Sequence, residues 1–159
     1  MNLHRCFSGA AAIAVLASCG SAGEALTFKA PAGYTSVMSL GPFMQMWRGP
    51  NQGVLMLMAM PTEIDLDKAV SSSDVRDAEI QKKATIRICG GGQQAVYVSM
   101  IGERDVLGSP APGSNAEKRQ IDFLATNANG KTYMAMYMRP LGTPQDPAAE
   151  GAIHEICPK

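Results

Sequence analysis

The sequence predicts an α+β domain built on a largely antiparallel sheet with helices packed on it. Three observations predict this class. Runs rich in β-branched and aromatic residues come in pairs separated by turn residues. Two stretches, one opening at Thr62 and one at Asp146, change to helical signals. The strand runs cluster instead of alternating regularly with helices, which argues against a parallel β-α-β succession.

Taken in order, "ALTFKAPAGY" from Ala25 to Tyr34 sets Leu26, Phe28 and Ala30 against Thr27 and Lys29, a period of two that reads as a strand ended by Pro31 and Gly33. Phe43 to Arg48 and Val54 to Met60 read as a hairpin joined by "GPNQG". From Thr62 to Ala84 the chain is acidic at its start and basic at its end, as a helix dipole favours, so one or two helices are expected there. Val75 and Ala78 fall out of phase with Leu66, Ala69 and Val70, which puts a break near Ser71 to Ser73. Strand character returns on either side of Gly90 to Gly92, and Leu107 to Ala116 reads as a loop. "RQIDFLATNANGKTYMAMYMRP" is a hairpin about Asn129-Gly130, a pair that tolerates positive φ. At the end, Asp146 is placed to cap a short helix with Pro147 in its first position and Cys157 near its close.

The strand followed by "APAGY", the hairpin, the long helix, the later strands and the closing helix resemble the PsbP-like α/β/α sandwich. That fold is shared by the photosystem II extrinsic subunit PsbP and small bacterial envelope lipoproteins. The resemblance covers nearly all of Leu26 to Pro158 and rests on element order. It implies a non-enzymatic binding or assembly domain, and it carries no functional residue onto this chain.

Composition narrows the function classes. The 159 residues suit one domain, and 14 basic residues balance 14 acidic ones. Such a balance leaves no electrostatic footprint for nucleic acid. Arg5 followed by the apolar run Phe7 to Ala17 has the form of an export signal. "LASC", Leu16 to Cys19, resembles the lipobox of bacterial lipoproteins, in which the cysteine is lipidated and becomes the mature N-terminus. The expected organisation is a signal peptide over 1–18, a tether over 19–25 and a single domain over 26–159. Cys19 would be lipidated and the protein membrane-anchored on the periplasmic or cell-surface side. Cleavage after Ala25, giving a soluble secreted protein, and an uncleaved anchor are the alternatives.

Removal or lipidation of Cys6 and Cys19 leaves Cys89 and Cys157, which an oxidising compartment would join as a disulfide. The sharper alternative makes Cys89 a nucleophile with His154 as its base. "CGGGQQ" lacks the Lys-Ser/Thr of a phosphate-binding loop, and Asp65 with Asp67 suits a helix start better than paired-acid catalysis. No catalytic residue and no cofactor is therefore expected.

The methionines, 11 in all, are the unusual feature. Met44 and Met46, then Met56, Met58 and Met60, then Met134, Met136 and Met138 recur at a spacing of two, so each set projects from one strand face. Flexible thioethers packed beneath a helix account for this pattern, because Leu55, Leu57 and Ala59 make the opposite face apolar too. The alternative is an exported soft-metal site for Cu(I) or Ag(I), built from Met56, Met58, Met60, Met134, Met136 and Met138. Trp47, Tyr133 and Tyr137 are candidates for an aromatic binding patch, with sheet packing as the plainer account. The function expected is an exported, lipid-anchored binding or assembly protein of the bacterial cell envelope, with an envelope protein as its partner.

Overall fold

The Asn129-Gly130 turn lets a ten-residue register form without strain. Asn129 takes φ 54° and Gly130 φ 73°, the left-handed pair that matches the twist of the strands it joins. In the computed structural model, which describes residues 26–159 apart from 42, 72, 73 and 109, those strands are the centre of a seven-stranded antiparallel sheet. The expected signal peptide over 1–18, the expected tether over 19–25 and Cys19 lie outside the described residues.

The elements are β1 (Leu26–Thr27), β2 (Thr35–Leu40), β3 (Met44–Arg48), β4 (Val54–Met60), α1 (Leu66–Ser71), β5 (Arg76–Ile88), β6 (Gln93–Glu103), β7 (Lys118–Ala128), β8 (Lys131–Pro140), α2 (Pro147–His154) and β9 (Cys157–Pro158). The large sheet runs β2-β3-β4-β8-β7-β6-β5, while β1 and β9 pair separately. It is two meanders, β2 to β4 and β5 to β8, joined edge to edge by β4 and β8. The connection from one meander to the other is α1.

The two helices lie on opposite faces. Ala69 and Val70 of α1 pack with the methionine side of the sheet, whereas Ala149 and Ile153 of α2 pack with Leu55, Leu57, Tyr97, Leu124 and Tyr137. The α+β class and the α/β/α arrangement expected from the sequence are the ones found. Each fully buried Leu, Ile or Phe in these two layers contributes roughly 1.5–3 kcal/mol. Among the described residues, no helix is long and apolar enough to cross a membrane.

Several elements depart from the sequence reading. The helix expected over Thr62 to Ala84 is confined to α1, and Arg76–Ile88 is instead the edge strand β5. Asp74 at φ 55° and Asp77 at φ 51° cannot continue a right-handed helix. Ile80, Thr85, Ile86 and Ile88 favour pairing with β6, so tertiary context overrides a charge pattern that only weakly favours helix. The helix does end at Ser71, where the break was expected. Of the first expected strand only β1 is paired, against β9, although Leu26, Phe28 and Ala30 still point inward. Cys157 lies beyond α2 in β9, because the chain leaves the helix at Glu155 to reach β1. The strand β2, absent from the sequence reading, has few large side chains on which alternation registers.

Two local devices fix the C-terminal layer. Asp146 accepts a hydrogen bond from the backbone N–H of Ala148 at 3.0 Å, and Pro147 occupies the first turn, as expected. Cys89 and Cys157 are joined by a disulfide with their Cα atoms 5.2 Å apart, clamping the end of β5 to the strand after α2. The β3–β4 turn has its own lock. A Cβ on Gly49 would lie 2.3 Å from the Tyr34 ring, so the ring crosses the turn only because that position is glycine.

Gly49→Ala is expected to lower stability by about 1–3 kcal/mol, the overpacking range, as read by urea denaturation. Cys89→Ser with Cys157→Ser is expected to cost about 4 kcal/mol, since the bridge closes a 68-residue separation. In that variant, added reductant should no longer shift the denaturation midpoint.

Candidate functional site

Cross-strand register turns the separate methionine pairs into a continuous surface. One row runs Met38, Met46, Met56, Met136, Phe123 and Val98, from β2 to β6. A second runs Leu40, Met44, Met58, Met134, Ala125 and Val96. Val54, Met138, Ile121 and Met100 form a third. With Met60 at the end of β4, every methionine after Met1 lies on this one face. Side chains directly opposite in a sheet have Cβ atoms about 4.5–5.5 Å apart, so the thioethers are close neighbours across strands.

The face is covered by α1 and by the strap that leads into it. The strap is held by three hydrogen bonds in a ring. The Ile64 N–H donates to Thr132 Oγ1 at 2.9 Å, the Thr132 hydroxyl donates to Asn127 Oδ1 at 2.6 Å, and the Asn127 amide donates to the Ile64 carbonyl at 2.9 Å. Asp65 then caps α1 by accepting the Asp67 N–H at 2.9 Å, which is the helix-start role expected for this acid pair. Because α1 has only six residues, it leaves a cavity of about 280 Å3 between strap, helix and sheet. Met58, Met60, Met134, Met136, Phe123, Ile64 and Ala69 line it, with Asp74 and Arg104 at its wall. Burial lowers the affinity of the Arg104 guanidinium for its proton, and the Asp74 carboxylate opposes that effect.

The structure divides the six methionines proposed as metal ligands. Met56 is 1% exposed and Met138 is sealed, and neither lines the cavity. Met58, Met60, Met134 and Met136 do line it, and Met60 is 39% exposed. Asp74, Arg104, Phe123 and the strap were not singled out from the sequence. Their place at the cavity comes from a helix far shorter than its charge pattern suggests.

The opposite face holds a buried polar cluster. Tyr97 donates to Asp122 Oδ1 at 2.8 Å, and the His154 ring packs on Tyr97 with centroids 4.7 Å apart. Lys82 Nζ stands 5.6 Å from the same ring. Burial, then the hydrogen bond and charge of Asp122, push the Tyr97 phenol well above its ordinary range. Burial does the same to Tyr34, reinforced by Tyr137 and Asp146. The Tyr137 hydroxyl accepts the Asp146 N–H at 3.2 Å, tying β8 to the start of α2. Tyr133 and Tyr137 are therefore core residues, and Trp47 packs against Phe28 at 5.0 Å between centroids. These three aromatics do not form an exposed patch. Cys89 is bonded to Cys157, so the thiol–imidazole pair of Cys89 with His154 does not form.

The two sheet edges differ in chemistry. The β5 edge carries Arg76, Asp77, Glu79, Lys82, Lys83 and Arg87 and has two register irregularities. The β2 edge, "TSVMSL", carries no charge and has one register irregularity, between Ser36 and Met38. Val37 is 47% and Leu40 56% exposed, beside Phe43 at 58%.

No protein family's sequence model matches the chain, and no curated protein matches it. Among solved structures, it is similar to the Saccharomyces cerevisiae Ran-binding protein Mog1p, at 10% identity and TM-score 0.53, over 83% of this chain and 85% of that one. It is also similar to a Bacteroides thetaiotaomicron VPI-5482 protein, at 11% identity and TM-score 0.55, over 86% of this chain and 46% of that one. CyanoP, the PsbP of the cyanobacterium Synechocystis sp. PCC 6803, aligns at 14% identity and TM-score 0.48, over 77% and 78% of the two chains. At such identities the likeness to Mog1p and to the Bacteroides protein is one of fold.

Thr132→Val would leave the Ile64 N–H and Asn127 Oδ1 without their partner, and a loss of roughly 1–3 kcal/mol is expected in chemical denaturation. The tyrosines make a separate prediction. Since the folded state raises the Tyr34 and Tyr97 values, their contribution to stability is complete below the unfolded phenol value of about 10 and falls as pH climbs towards the folded values. Alkaline absorbance titration should show both phenols ionising late, at the pH where circular dichroism reports unfolding.

Proposed function

We propose that this chain is an exported, lipid-tethered, non-enzymatic binding or assembly module of a bacterial cell envelope, which takes up an extended segment of a partner protein along β2. The observation that carries the reading is the contrast between the sheet edges. An open strand edge presents unpaired N–H and C=O groups, and proteins that keep such an edge to themselves arm it with charge or bulges. The β5 edge carries both charge and two register irregularities, whereas the β2 edge has a single irregularity, between Ser36 and Met38, and no charge, so charge is what separates the two edges. Strand addition at β2 would draw affinity from main-chain hydrogen bonds and selectivity from Val37 and Leu40.

The address rests on the Arg5 to Ala17 run and on "LASC", and the disulfide suits the oxidising compartment to which such a signal leads. From Cys19 to Leu26 the tether is seven residues, which holds the domain within about 25 Å of the bilayer at full extension. Mog1p, a protein of this fold, is a Ran-binding protein, and it supports a docking role by analogy of scaffold alone.

Site-specific photocrosslinking in cells tests the edge, with probes at Ser36 and Ser39 on β2 and at Lys83 on β5. A discrete adduct from the β2 positions, absent at Lys83 and abolished by Val37→Lys, is expected. Equal yields from both edges would overturn the docking reading. The address is checked by the intact mass of the protein from the membrane fraction. Cys19 to Lys159 plus a diacylglyceryl group is expected, and a soluble chain starting at Leu26 would sink the tether.

A further inference from the structure

We infer that the cavity beneath α1 is a soft-metal site that takes Cu(I) or Ag(I) through the thioethers of Met58, Met60 and Met134, with Met136 as its floor. This goes beyond the docking reading and is independent of it. The first support is position. Met58 and Met134 are direct partners across β4 and β8, and Met60, paired with Thr132, sits diagonally from Met134. Opposed and diagonal positions are about 4.5–5.5 Å and 7–8 Å apart, separations that side chains with three free torsions span without backbone movement.

The second support is the cavity itself. Methionine is the residue best able to fold into an irregular gap, and protein interiors close such gaps to near-crystalline density. Yet about 280 Å3 stays open beside Met58, Met60 and Met134, above a floor of buried Met136, while Met56 and Met138 do not border it. The strap bearing Ile64 is pinned by Thr132 and Asn127, so the roof does not collapse onto the sulfurs.

The third is chemistry. Neutral thioethers bind soft d10 ions and discriminate against hard ones. The wall carries one carboxylate, Asp74, and one guanidinium, Arg104, so the formal charge of the lining is zero and an occupied site carries the charge of the ion, which favours a monovalent ion. Binding is plain coordination, with no proton or electron transferred.

The test uses the mature oxidised protein with any free thiol blocked, titrated with Ag(I) alone and followed by native mass spectrometry and by methyl NMR of 13C-methionine. One Ag(I) per chain is expected. The methyl signals of Met58, Met60 and Met134 should shift, while those of Met46 and Met138 stay in place. Met58→Leu with Met134→Leu, which conserves volume, should weaken Ag(I) at least tenfold, and Met46→Leu with Met138→Leu should leave it within twofold. Should the first pair unfold the protein, Met60→Leu at the exposed rim replaces it, with a threefold or greater loss expected. No stoichiometric binding, equal loss in both pairs, or shifts spread over all the methionine methyls would each overturn the site and leave packing as the sole role of the face.

Discussion

The pairing of β4 with β8 is the constraint on which the rest of the molecule depends. It is the contact between two meanders far apart in sequence, running from Val54 opposite Met138 to Met60 opposite Thr132. Side chains alternate with a period of two, so a slip of one residue would exchange the faces of β4 relative to β8. Met56 and Met58 would then stand with Tyr133 and Tyr137, and neither core would close. Two hydrogen bonds hold the chosen register from outside the ladder. Thr132 receives the strap at one end of β8, and Tyr137 receives the Asp146 N–H near the other. Both are available only when β8 shows its tyrosines to α2 and its methionines to α1.

The two layers that result are secured to different degrees. The α2 face is aromatic and is stapled by a capped helix and a disulfide that reaches the end of β5. The methionine face has a helix of six residues and a strap held by three hydrogen bonds. The more adaptable side chains lie under the lighter cover, where a cavity persists and where small rearrangements cost least. At the edges the same asymmetry recurs, since the disulfide and the charges are gathered at β5 and the uncharged β2 is the far side of the sheet. The sheet thus has one charged edge and one uncharged edge.

How much was legible follows the range of the interactions involved. Asn129-Gly130, Asp146-Pro147 and the turn glycines act within a few residues, and all three were read correctly. The alternation of Leu55, Leu57 and Ala59 with the methionines announced a strand covered on both faces, and β4 is that strand. The segment after Ser71 was misread because its charges follow a helical gradient, while its pairing with β6 is decided by a strand that comes later in the chain. Within the candidate site, the methionines were visible as a pattern. Asp74, Arg104 and Phe123 were not, because they reach the cavity through packing between segments far apart in sequence.

By itself the sequence determined the α+β class, the turns and caps, the pairing of Cys89 with Cys157 and the side of each strand on which the methionines stand. These follow from local conformational preference, from the two-residue period and from the count of available thiols. The tertiary structure alone decided which methionines meet across β4 and β8, which are sealed and which border a cavity, and which strands end the sheet among the described residues. Those outcomes depend on register between distant segments and on how far a helix extends over a sheet, and both are settled by packing rather than by any residue's own preference.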